Sequence, residues 1–270
     1  FFSIIKSQES YSYQKPPKEI LELVDVRLPP RVLIDDNRSF IVYLYRDSYK
    51  SISELSDPEM KLAGLRLNPN SNSRSRTNYY NNIMISKINQ IGEGAKQVKG
   101  LPELPKLANI RWSPDQKKVA MTNTTKDGLE LWYIDLKSLK AEKLTGPKLN
   151  ASLGDVTTWH QDSKNIIAKF KLKNPPEILD NENMVPTGPI ISSNDGKKAQ
   201  NRTYQDLLKN EVDEKNFETL ASSVLYKISL KGKKKLLAKE NLYYEIDFSP
   251  DGKFILISII QKPFSYLVPY

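Results

Sequence analysis

The sequence predicts an all-β chain, a partial β-propeller of four-stranded antiparallel blades with a partly helical insert. Three observations lead there. A turn motif recurs at about the length of one blade. An apolar run follows each copy of it. One blade is interrupted by roughly fifty residues, far more than a hairpin needs.

The repeat is clearest in IRWSPDQKKVAMT (Ile110 to Thr122) and IDFSPDGKFILIS (Ile246 to Ser258). A degenerate copy, TTWHQDSKNIIAKF, runs from Thr157 to Phe170. Asp115 and Asp162 lie 47 positions apart, and Asp162 and Asp251 lie 89 apart. The second spacing is close to twice the ~45 residues of a four-stranded blade. The motif is a β-turn: Pro fixes φ, Asp bonds the backbone ahead of it, and Gly252 tolerates positive φ. The aromatic before each turn, Trp112, Trp159 or Phe248, is expected between adjacent sheets. The apolar run after it reads as a buried strand. VLIDDNRSFIVYLY is a weaker fourth copy, with Asp36 at the Asp place. About three to four blades are expected.

Within the first clear blade, Gly128 to Thr145 (GLELWYIDLKSLKAEKLT) supplies the next two strands. Val224 to Lys239 (VLYKISLKGKKKLLAK) supplies the same unit in the next blade. That blade's halves are parted by an insert at about 172–223, in which Tyr204, Leu207 and Leu208 fall at helical spacing and Phe217 and Leu220 continue an apolar face. PPKEILELV reads as a short helix or strand. SISELSDPEMKLAGLRLNP reads as a helical turn leading into a strand. The opening FFSIIKSQ reads as the tail of a secretory signal peptide over 1–9, against the competing reading of an ordinary first strand. The propeller then spans 10–270 and is expected to be incomplete, the chain being cut at both ends.

The composition narrows the chemistry. The 270 residues include 41 Lys+Arg against 32 Asp+Glu, a net charge of +9. Part of that surplus sits in the Asn/Ser-rich stretch from Asn68 to Asn82 and its flanks. Another part, Lys231 and Lys233 to Lys235, sits on a hairpin turn. Both suit solvated faces and guarded sheet edges better than a nucleic-acid footprint. No apolar run is long enough to span a membrane. Zero cysteines exclude disulfides, thiolate metal sites and a cysteine nucleophile. The single histidine, His160, occupies the Ser position of the repeat and reads as a turn residue rather than a general base. Asp115, Asp162 and Asp251 recur once per blade and read as turn residues rather than an acid cluster. No G-x-S-x-G, phosphate loop, H-E-x-x-H or G-x-G-x-x-G occurs. No cofactor or metal site is expected.

Several stretches carry a more specific signal: VPTGPIISSNDGKKAQNRTYQDLLKNEVDEKNFETLASSVLYKISL, PEMKLAGLRLNP, SRTNYYNNI, KGLPELPKLANIRWSPDQKK and KPFSYLVP. From about Tyr13 to Tyr270 the chain resembles the amino-terminal propeller half of the prolyl oligopeptidase family of serine peptidases, most closely its glutamyl endopeptidase branch. The resemblance implies a propeller capping a carboxy-terminal α/β-hydrolase domain that is absent from this chain, with a peptide as substrate. That branch is found in exported bacterial proteins and in chloroplasts, and the signal-peptide reading of the opening favours an exported protein, periplasmic or extracellular. The resemblance transfers no catalytic residue, because the Ser, Asp and His belong to the absent domain. If the parent cleaves after Glu, a cation must meet the substrate carboxylate. Arg202 is the insert's only arginine and the substrate-facing candidate, with Lys197 and Lys198 behind it. The bland alternative pairs Arg202 with Asp206 along a helix.

A stand-alone propeller binding module of the cell envelope is the competing function. Acyl transfer needs nucleophile, base and oxyanion hole in one place. The 270-residue chain alone is therefore expected to release no product from Glu-containing chromogenic peptides. Turnover that disappears in His160→Ala would overturn this.

Overall fold

The computed structural model describes residues 14–180, Gly188, Gly196 and 203–270. The leader reading over 1–9, and Lys197, Lys198 and Arg202, fall outside the described residues.

A short helix α1 (Lys18–Val24) precedes the sheets. The first blade contains β1 (Arg31–Ile34) and β2 (Phe40–Tyr45). An excursion follows through α2 (Ile52–Leu55), β3 (Met60–Leu62), β4 (Leu65–Asn68) and β5 (Ser73–Arg74). The blade resumes with β6 (Asn82–Lys87) and ends, past a 3-10 turn, with β7 (Lys96–Gln97). The second blade is an uninterrupted meander: β8 (Leu107–Trp112), β9 (Lys118–Thr125), β10 (Gly128–Asp135) and β11 (Lys140–Lys143). The third is β12 (Thr157–Trp159), β13 (Asn165–Phe170), β14 (Ser223–Ser229) and β15 (Lys234–Asn241), with helix α3 (Glu211–Ala221) between β13 and β14. β16 (Tyr243–Phe248) and β17 (Ile255–Ile259) pair as a two-stranded sheet. Strand order follows chain order in each blade, and all pairing is antiparallel. β3, β4 and β5 form a separate small sheet.

Both faces of each inner blade are buried, because strand side chains alternate between faces and each face meets the next sheet. Val42, Leu44, Ile83 and Ile85 pack on Val119, Met121 and Ile134 between blades one and two. Leu129 and Leu131 pack on Trp159, Ile166, Ala168 and Phe170 between blades two and three. Ile167 and Leu225 pack on Tyr243 and Ile246 between blade three and β16.

The turn after the first strand is the same in the three blades and in the β16–β17 sheet. Ser113, His160 and Ser249 each donate their N–H to the carbonyl five residues on, and so does Asp35 to Phe40. Asp35 is therefore in register with the Ser position, and Asn37, not Asp36, holds the Asp place. The adjacent pair Asp35-Asp36 made a one-residue slip easy. The next residue has positive φ in every copy: Arg38 (52°), Gln116 (56°), Ser163 (53°) and Gly252 (69°). Only the last is glycine, so the side-chain bonds hold the others there. Ser113 Oγ donates to Asp115 Oδ1 at 2.6 Å and accepts from Lys118 N–H; Ser249 Oγ repeats both bonds with Asp251 and Phe254. In the third copy Asp162 N–H donates to His160 Nδ1 at 3.2 Å, and the imidazole sits edge-on to Phe248.

Consecutive turns also touch. Gln116 exchanges two bonds with Asp36, and Asp115 N–H donates to Ser163 Oγ at 2.9 Å. A side chain built on Gly252 would approach Gln161 to 3.0 Å. Trp159, buried between blades two and three, donates its indole N–H to Arg111 O at 3.0 Å. Trp159→Ala would empty that space and strip the carbonyl. It is expected to lower stability by about 3–5 kcal/mol, read as a fall in urea midpoint at unchanged m.

Candidate functional site at the insert-bearing end

In a four-stranded meander the first and third turns share one end of the sheet. The second connection and the link to the next blade share the other. Both long excursions, 46–81 in blade one and 171–222 in blade three, are second connections, so both leave from the same end. They meet there.

Their junction is a second core. Leu62, Ala63, Leu65 and Leu67 of the small sheet pack on Leu208, Phe217, Leu220 and Ala221, with Leu153, Leu242 and Phe264. Phe217 and Leu220 lie on α3 as the spacing suggests. Tyr204 to Leu208 do not: that stretch is irregular, with Asp206 at φ 60°. Asn210 caps the helix, accepting from Asp213 N–H, and Glu211, Asp213 and Glu214 complement the dipole of its first turn.

Polar bonds tie the two excursions together. Arg66 Nε donates to Asp206 Oδ2 at 2.6 Å, and Gly64 N–H donates to Asp206 O at 2.8 Å. Asp206 thus meets Arg66, 140 positions away, from a non-helical backbone. Glu59 gathers Arg66, Arg76 and the Ser75 hydroxyl. Asn72 and Asn150 amides both donate to Leu220 O. The last residues are pinned too: Tyr266 Oη donates to Glu214 at 2.8 Å and Lys262 pairs with Glu218. Burial, and then the Glu214 carboxylate, push the Tyr266 phenol up to about 12.

Lys169 of β13 lies beneath this junction with 1% of its surface exposed. Its ammonium donates to the carbonyls of Leu153 and Tyr243, joining blade three, the link from blade two and the start of β16. Among the described residues no carboxylate touches it. Burial lowers its pKa to about 7, with Asp155 pulling up and Arg74 pushing down.

Beside the junction lies an open cleft of about 720 Å³ between the start of the first excursion and the head of blade two. It adjoins a second of about 620 Å³, and the two share Lys50, Glu54, Tyr79, Leu104 and Lys106. Paired backbone bonds between Tyr80 and Leu107 join the two blades at this end. The Ser51–Glu54 capping box opens α2 and aims Glu54 at Lys106, 3.3 Å away. Burial pushes the Glu54 carboxyl up, but Ser51 N–H and the Lys106 ammonium outweigh it and hold it below its ordinary value. Asn81 holds Asp47 at 2.7 Å. Arg46, Lys50 and Leu104 complete the wall.

Trp112, Asp115, Trp159, Asp162, Phe248, Asp251 and Gly252 sit at or just before the turns of the opposite end, one set per blade, and do not converge on one point. The cleft residues carry no motif: they come from position 28 and from 46–54, 77–81 and 104–106. Their only sequence sign is that a stretch rich in bases and asparagine flanks an oversized blade. Among the described residues no cluster of three metal-ligating His, Cys, Asp or Glu occurs, and no helix is long and apolar enough to cross a membrane.

By its sheets this is a segment of a β-propeller. No family profile matches the sequence. The chain is 35% identical over 277 aligned residues, 97% of its length, to "Probable glutamyl endopeptidase, chloroplastic" of Oryza sativa subsp. japonica. It is 32% identical over 270 aligned residues, 95% of its length, to the protein of the same name from Arabidopsis thaliana. It spans 29% and 28% of those relatives. Among solved structures, Pyrococcus horikoshii acylaminoacyl peptidase aligns over 92% of this chain and 30% of its own, at 15% identity and TM-score 0.43. The β-propeller domain of the Trilobed protease from Pyrococcus furiosus aligns over 88% and 56%, at 12% and TM-score 0.36. Across nearly its whole length the chain is thus homologous to part of two proteins named as probable glutamyl endopeptidases.

Lys169 yields a pH test. Its folded pKa is depressed, so between about pH 7 and the ordinary lysine value of 10.5 the unfolded chain binds more protons. Stability should rise with pH across that window. Lys169→Met should flatten this rise in urea melts, whatever it does to stability at pH 7. An equal slope in both proteins would mean the ammonium is not held as described.

Proposed function

We propose that this chain is the gating and substrate-access portion of an exported serine endopeptidase, one that cleaves after Glu in the longer protein and works with a carboxy-terminal α/β-hydrolase domain. The observation that carries the reading is the junction of the two excursions. It builds a cross-tied rim at one end of the blades, beside an open cleft, and the chain is homologous there to proteins named as endopeptidases. A rigid rim of this kind suits a filter that admits extended peptides and excludes folded proteins. The plant relatives are named chloroplastic.

Arg202 remains the proposed partner of the substrate carboxylate. The bland alternative is weaker now, since Asp206 lacks helical backbone and its carboxylate engages Arg66. In the longer enzyme, Arg202→Met should cut kcat/KM for Glu substrates about a hundredfold, on the order of ~3 kcal/mol, with folding unchanged by circular dichroism. An unchanged ratio of Glu to Gln cleavage would make Arg202 structural. A longer protein that binds peptides and cleaves none would favour the envelope binding module.

A further inference from the structure

We infer that the cleft between the first excursion and the head of blade two binds an extended polypeptide through an acidic side chain held by Arg46 and Lys50. The inference rests on the reading of this chain as one that handles polypeptides, and it assigns a site that reading leaves open.

The charges of the cleft are not equally available. Asp47 is held by Asn81, and Glu54 is held by Ser51 and Lys106. That leaves Arg46 and Lys50, which have no acidic partner among the described residues. Asp57 and Glu103 line only the adjoining cleft. Two unpaired cations in a concave wall attract a carboxylate, and the planar guanidinium can bond it at two points. Leu104 is 84% exposed and Tyr49 66% exposed at the same cleft, so apolar surface stands ready for a neighbouring side chain. An acidic residue beside an apolar one satisfies both features. A polyanion does not fit as well. Asp47 and Glu54 lie in the same wall, and phosphates spaced along a strand would meet them as like charges.

The test uses the 270-residue chain and fluorescence anisotropy. The probe is a labelled, otherwise uncharged peptide with one Glu flanked by leucines, compared with its Gln analogue. Wild type should bind the Glu peptide at least tenfold more tightly. The double variant Arg46→Met/Lys50→Met should bind both peptides equally, with an unchanged thermal melt. Lys126→Met, at a lysine that lines only the adjoining cleft, should keep the Glu preference. Should the double variant fold poorly, the single variant Lys50→Met must still reduce the preference by severalfold. Equal affinity for the two peptides in wild type would overturn the site. So would a Glu preference that survives in the double variant, or a single-stranded oligonucleotide that binds more tightly than the Glu peptide. Because no hydrolysis is read, the outcome separates from the peptidase reading: a longer protein that never cleaves peptides sinks that reading and leaves this site intact.

Discussion

A sheet with two apolar faces cannot cover either of them itself. That constraint governs this molecule. Blade two offers Val119 and Met121 to one neighbour, and Ala120, Leu129 and Leu131 to the other. Burying each large side chain contributes about 1.5–3 kcal/mol, so the sheets must stack in series rather than fold onto a separate layer. The regular repeat follows, since each blade has the same task. So do the aromatics before the later first turns, Trp112, Trp159 and Phe248, which fill the widening space between neighbouring sheets. Where the series ends among the described residues, apolar groups stand in the open: Val32 and Ile34 on β1, Phe254 and Leu256 beside or on β17. Charge guards the outer strand of blade three instead, where Lys234, Lys235 and Lys239 line β15.

The same constraint leaves the two ends of the sheets free to differ. At one end each turn is fixed by a short polar side chain bonding its own backbone, and adjacent turns bond each other. There is no room for insertion without loss of that register. At the other end the second connections face no such restraint, and all the added chain emerges there. Lys169 shows what the junction costs. Two carbonyls from separate segments need a donor in a place that water does not reach, and a lysine supplies it at the expense of its own hydration.

This division explains what could be read in the sequence. The turn end was legible because its chemistry is local: Trp112 to Lys118 and Phe248 to Phe254 carry their own bonding partners within a few residues. Even the degenerate copy around His160 kept the pattern, since Asp162 could still hold the backbone. The fourth copy slipped by one because Asp35 and Asp36 are chemically alike and only the strand pairing distinguishes them. At the insert end the partners are remote. Nothing near Arg66 announces Asp206, and nothing near Asn150 announces Leu220. Helical spacing placed Phe217 and Leu220 on one apolar face, but it also suggested a helix through Tyr204 to Leu208. There the pull of the second core on Leu208, and the bonds made by Asp206, override local periodicity. The cleft was illegible for a further reason: its cations are ordinary surface residues until Asn81 and Lys106 occupy the neighbouring acids.

The rim formed by the two excursions is also poorly suited to swing. Moving either away would expose Leu62, Leu67, Phe217 and Leu220, all nearly fully buried. At about 1.5–3 kcal/mol for each, that loss approaches the whole stability of a small domain. It would also strand Asp206 and the Leu220 carbonyl without their donors. The blade interfaces are built differently. Among the described residues, blade three meets β16 and β17 through a small cluster of four buried apolar residues with a few half-buried ones around it, and Lys169 and Thr158 supply bonds across the boundary. Relative motion within this segment therefore costs less where blades separate than where the excursions meet. The boundary between blade three and β16, rather than the rim, is the weaker seam of this segment.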